Sequence, residues 1–162
     1  MKLQQLIDQT ELDMTADQVK AFFLGVLTAD KPLPFPKAVK ELVSETPDEQ
    51  KILEPELKIL WDQLSKNKKK ELGSMFPDNA DIHEFLEHTK DQLDYFLTAL
   101  TLSGTTSESA KDEDFGGMIE ELEELILELD EFLADKQVPA EAGQEIKEIV
   151  LSVWSDLIEH QQ

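Results

Sequence analysis

Two clusters in this 162-residue sequence combine residue types and spacings that could do chemistry. The first is Asp112-Glu-Asp-Phe-Gly-Gly117 followed by Glu120 and Glu123, a near miss to a calcium loop of the EF-hand kind. Acids fall at the first, third, ninth and twelfth loop positions, glycine at the sixth and Ile119 at the apolar eighth. The fifth position is Gly116, which offers no side-chain oxygen, and an apolar stripe already starts at Phe115 inside the supposed loop. An acid-rich helix N-terminus, favoured by the helix dipole, explains the same residues. The second cluster is His83-Glu-Phe-Leu-Glu-His88. A zincin site needs histidines one turn apart on one helix face, whereas a spacing of five residues turns them roughly 140° apart. Glu84 with His88, and His83 with Glu87, share a face, but two ligands do not make a metal site.

No other signature supplies a reaction. The chain has no Gly-x-Ser-x-Gly elbow, no phosphate-binding loop and no Glu-x-x-His pair of the di-iron bundles. Cysteine is absent, which removes thiolate nucleophiles, disulfides and cysteine-ligated zinc. All 15 positive residues are lysine, so the planar fork of arginine is missing as well. No catalytic residue and no cofactor is expected. With a net charge of -21, nucleic acid and anionic membranes would be repelled at long range. The most apolar stretch, residues 21–27, is far short of the roughly 20 residues of a membrane span. The opening residues lack the uninterrupted apolar run of a secretory signal, and a cytoplasmic location is expected.

The elements that would position these residues are all helical. Thr15-Ala-Asp-Gln18 fits a capping box, and Val19, Phe22, Phe23, Val26 and Leu27 follow at helical spacing. The prolines of Lys31-Pro-Leu-Pro-Phe-Pro36 stop that helix, and a short one follows with Ala38, Val39, Leu42 and Val43. Thr46-Pro-Asp-Glu49 reads as a second capping box. Pro55 predicts a break or kink between Leu53 and Leu57, after which Leu57, Leu60, Trp61 and Leu64 continue to a lysine-rich turn at 66–70. A loop is expected over 73–79 and a long helix over 81–102, with Ile82, Phe85, Leu86, Leu93, Phe96, Leu97 and Leu100 inward. The Ser/Thr/Gly-rich connection that follows is the most flexible-looking in the chain. Phe115, Met118, Leu122, Leu125, Leu129 and Phe132 then mark the cleanest helical period. The last helix, after Pro139, should bury Ile146, Ile149, Val150, Val153, Trp154 and Leu157. The expectation is one all-α domain over 1–162 with six or seven helices, a seam near 73–79 and a flexible loop over 103–112. An echo between Asp17-Gln-Val-Lys-Ala-Phe-Phe23 and Asp91-Gln-Leu-Asp-Tyr-Phe-Leu97 suggests two pseudo-repeated halves.

Charge divides the chain unevenly. Residues 1–80 carry 14 acids against 11 lysines, a net of -3; residues 81–162 carry 22 acids against 4 lysines, a net of -18. No lysine occurs between Asp112 and Asp135. Glu120, Glu121, Glu124, Glu128 and Glu131 fall opposite the apolar stripe of their helix, where like charges repel. They are the residues expected to meet a partner, a basic protein drawn in by long-range attraction. The competing expectation is a carboxylate-based divalent-metal binder or metal-dependent enzyme using Asp112, Asp114 and Glu123. The apolar stripe over 115–133 would serve a homodimer as readily as an internal core.

Several of these segments together resemble the YgfB/YecA-like family of bacterial proteins, in its shorter YgfB-type form without the zinc-binding tail. Met14-Thr-Ala-Asp-Gln-Val19 with residues 22–27 is similar to the family's opening helix. Phe76-Pro-Asp-Asn-Ala-Asp81 resembles its proline–aspartate loop, and Tyr95-Phe-Leu-Thr-Ala-Leu100 resembles the end of its following helix. Glu120-Glu-Leu-Glu-Glu-Leu125 and the closing helix resemble its acidic C-terminal pair. The family's His-Gly is Lys20-Ala21 here and its cysteine is Thr28, so no role at those positions carries over. The resemblance implies an all-α fold in a bacterial cytoplasm and supplies no reaction.

Overall fold

The computed structural model describes residues 2–43, 47–73, 75, 81–134 and 139–160. Among them are eight α-helices, one 3-10 turn and no strand: α1 (Lys2–Asp8), α2 (Ala16–Thr28), α3 (Phe35–Leu42), the turn Pro47–Glu49, α4 (Gln50–Lys66), α5 (Lys68–Gly73), α6 (Ile82–Leu102), α7 (Glu113–Ala134) and α8 (Ala140–His160). The fold is all-α. Two short helices raise the number above the six or seven expected. α1 hides Leu3 and Ile7, one turn apart, against α4 and α2, while the Gln4 side-chain Oε1 accepts from the Ala16 N–H at 2.7 Å. α5 follows a break at Asn67 (φ -155°) where only a lysine-rich turn was expected.

α2 and α6 form the axis of the molecule, and their contact explains much of the rest. α2 opens with the capping box expected from its sequence: Thr15 Oγ1 accepts from the Gln18 N–H at 3.1 Å, and Gln18 Oε1 accepts from the Thr15 N–H at 3.0 Å. At mid-length, Gly25 lies against the Phe96 carbonyl, and a Cβ placed there would fall 2.7 Å from the Ala99 Cβ. Only glycine allows this approach. The two echoing segments therefore sit on the two helices that meet most closely. Each half also sets a tryptophan edge-on to a phenylalanine of that axis, with centroids 5.2 Å apart in Phe23–Trp61 and in Phe96–Trp154. Both tryptophans are core residues, as their apolar stripes predict.

Pro55 does not break its helix. α4 runs unbroken from Gln50 to Lys66, with Leu53 and Leu57 both fully buried on either side. Pro55 falls early in the helix and points to solvent, so one backbone bond is forgone while the buried leucines hold the register. Lys68 directs its ammonium to the Leu27 carbonyl at 3.1 Å, at the negative end of α2, and burial pushes its pKa down. Most of the expected seam near 73–79 and Thr46 of the second capping box lie outside the described residues.

Candidate functional site

The site grows from the way α7 begins. Asp112 Oδ1 accepts from the Asp114 N–H at 2.9 Å, and the Asp112 carbonyl accepts from the Gly116 N–H at 3.0 Å. Its other oxygen meets His160 Nε2 of α8 at 2.7 Å. The histidine, followed by the Asp114 N–H, holds this carboxyl below its ordinary range. Gly116 faces the Ser107 carbonyl so closely that an added Cβ would lie 2.5 Å from it. Asp112, Asp114 and Gly116 of the apparent calcium loop thus start a helix and seat it on the preceding connection.

That connection, 103–112, is laced by hydrogen bonds. Thr105 is buried and its Oγ1 accepts from the Asp30 N–H at 3.1 Å, while Asp30 Oδ2 accepts from the Lys111 N–H at 2.8 Å. Ser109 Oγ donates to the Gly104 carbonyl at 3.0 Å, and Gly104 turns with φ +85°, a conformation that suits glycine.

The proposed metal ligands are not gathered. Asp112 and Asp114 stand at the start of α7, whereas Glu123 is eleven residues past Asp112, about 16 Å along the axis. Among the described residues no three of His, Cys, Asp and Glu cluster so as to hold a metal ion. The two histidines of α6 are likewise separated by their neighbours. His83 lies over the Phe132 ring at 5.2 Å, while His88 Nε2 is 3.4 Å from Asp17 Oδ2 of α2 and 2.6 Å from Gln92 Nε2.

Glu120, Glu121, Glu124, Glu128 and Glu131 are all exposed, on the side of α7 away from the core. The opposite side buries Phe115, Ile119, Leu122, Leu125, Leu129 and Phe132, so the apolar stripe is consumed internally. One flank of α7 faces α6. There Lys90 Nζ reaches Asp130 at 2.9 Å and Asp94 at 3.8 Å. The bond to Asp130 raises the lysine's pKa, and burial raises that of Asp94. Next to this bridge, α6, α7 and the 105–108 segment enclose an open cavity of about 580 Å³ walled by Asp94, Glu108 and Glu123 and floored by Leu97 and Ile119.

Two surface features escaped the sequence reading. Ile149, expected in the core, is 47% exposed on α8, because the inward side of that helix is already filled by Val150, Trp154 and Leu157. Leu127 is 64% exposed, the most open large apolar side chain described. A signal for it was present: Leu125, Ile126 and Leu127 are consecutive, and successive helical residues step by about 100°, so three in a row cannot all face one core.

Among the described residues no helix is long and apolar enough to cross a membrane. No protein-family model, curated protein or solved structure matches the chain.

Proposed function

We propose that this is a non-catalytic protein that binds or regulates a basic protein partner through the outer face of α7, in the bacterial cytoplasm its family resemblance implies. The observation that carries this reading is the row Glu120, Glu121, Glu124, Glu128 and Glu131, all exposed on a helix that contains no lysine. Within the row, like charges recur three and four residues apart, and each such pair costs a helix about 0.2–0.5 kcal/mol. The neighbouring half of the chain stays close to neutral, so the fold has no general need of this charge. A helix face bearing one sign of charge raises the encounter rate with an oppositely charged surface and leaves close contacts to set specificity.

The test is a tagged pull-down from cell lysate at low and high salt, with E120K/E121K/E124K alongside. The expected result is a basic protein held by the native chain at low salt, released as salt shortens the Debye length, and lost from the variant. Retention insensitive to both salt and charge reversal would count against the reading.

A further inference from the structure

We infer that the α6–α7 groove beside Leu127 is the seat of a cationic amphipathic helix belonging to that basic partner, with Leu127 and Leu102 as the apolar anchors. The inference rests on the acidic-face reading above and adds to it a location, a register and a kind of ligand. Leu127 has Glu123, Glu124, Asp130 and Glu131 as its helical neighbours three and four residues away, so a 64% exposed leucine stands inside a ring of four acids. Isolated exposed leucines are ordinary on protein surfaces. This one is placed one turn from Glu123, which walls the cavity, and one turn from Asp130, which Lys90 ties to α6. The second leucine, Leu102, lines that cavity and is 46% exposed.

The two anchors set a register. Asp94 marks the Leu127 end through its shared bridge to Lys90 and Asp130, and Leu102 lies eight residues further along α6, about 12 Å at 1.5 Å per residue. A helix laid along the groove would meet both leucines with apolar side chains seven or eight residues apart, the spacing typical of helix-in-groove recognition. Between them its Lys or Arg residues would face Asp94, Glu108, Glu123 and Glu124. Charge also separates this occupant from the others. A second copy of the chain would bring another strongly acidic face against this one, and nucleic acid or an anionic bilayer would be repelled for the same reason. A purely polar cation would leave both leucines in water.

The experiment uses the full chain and two synthetic helix-forming peptides of about 18 residues with equal positive charge. One carries leucines seven residues apart among lysines, and in the other glutamines replace those leucines. Affinities are measured by calorimetry at about 0.15 M salt for the native chain, for L127Q, and for I149Q and I52Q as controls at other exposed apolar positions. The leucine peptide should bind the native chain about a hundredfold more tightly than its glutamine twin, about tenfold for each newly buried leucine. L127Q should cut that margin about tenfold, and I149Q and I52Q should keep it whole. Equal binding of the two peptides, or a margin that L127Q leaves undiminished, overturns the inference. Self-association of the native chain that L127Q abolishes overturns it too, in favour of a second copy. E120K/E121K/E124K separates the two levels. If charge reversal weakens both peptides while L127Q changes nothing, only the anchored groove fails. If charge reversal changes neither, the acidic-face reading fails with it.

Discussion

The two halves of this molecule repeat one aromatic contact of the core and differ in how their surface acids are balanced. Before residue 80, 14 acids are nearly balanced by 11 lysines, and the ion pair Lys20–Glu71 at 2.9 Å is largely withdrawn from solvent between α2 and α5. After residue 80, 22 acids face 4 lysines, and α7 has none. Yet Phe23–Trp61 and Phe96–Trp154 repeat the same edge-on contact at the same distance. The core therefore does not account for the charge. Burial of apolar side chains fixes the helix packing, and the outer faces are left for solubility or recognition to shape.

The largest test of this parallel removes each tryptophan. W154A should cost about 4 kcal/mol in urea unfolding and W61A about 3, because Trp154 is fully buried and Trp61 keeps 9% exposure. A W61A variant with near-native stability would show that the first half is not held by its aromatic cluster. Next in size is the contact joining the halves. G25A should destabilise by about 2–3 kcal/mol through overpacking against Phe96 and Ala99. G117A, whose new methyl meets nothing within 4 Å, should stabilise α7 by about 0.5–1 kcal/mol. Equal effects at the two sites would contradict the close α2–α6 approach.

Smaller still is relief of repulsion on α7. E120Q/E124Q/E128Q should raise stability by up to about 1 kcal/mol at low salt and by little at high salt. A matched E54Q/E56Q change on α4 should bring no such salt-dependent gain. If both respond alike, the contrast between the halves is one of composition only. The smallest expected effect concerns His88, which joins the halves through Asp17. Donating a hydrogen bond to the Asp17 carboxylate raises its pKa above the ordinary 6.5, and burial opposes that rise. A raised folded pKa means the histidine's stabilisation is complete below 6.5 and is lost as pH climbs through the folded value. Native protein should therefore lose stability relative to H88Q on going upward from pH 6, read from paired denaturation curves. Parallel curves would show that His88 and Asp17 do not interact.

Much of this could be read before any coordinates. The Thr15 capping box, the inward set of α6 and the stripe of α7 rest on local chemistry and helical period, which are carried by residues close in sequence. The five outward glutamates follow from the same period, since the positions opposite a filled apolar stripe are the solvated ones. Pro55 shows where local rules stop: they allow a break or a kink, and α4 runs on without a break with Leu53 and Leu57 buried on one helix.

What the sequence determined by itself was helix, phase and charge, because each depends on residues within a few turns of one another. Which flank of α7 meets α6, why Gly25 must be glycine and why Asp112 binds His160 depended on partners 40 to 74 residues away, and Gly116 on a backbone approach of Ser107 that no local pattern encodes. Leu127 belongs to both accounts. The sequence required one of three consecutive apolar residues to turn outward, and only the packing of α6 against α7 set that residue beside an acid-walled groove.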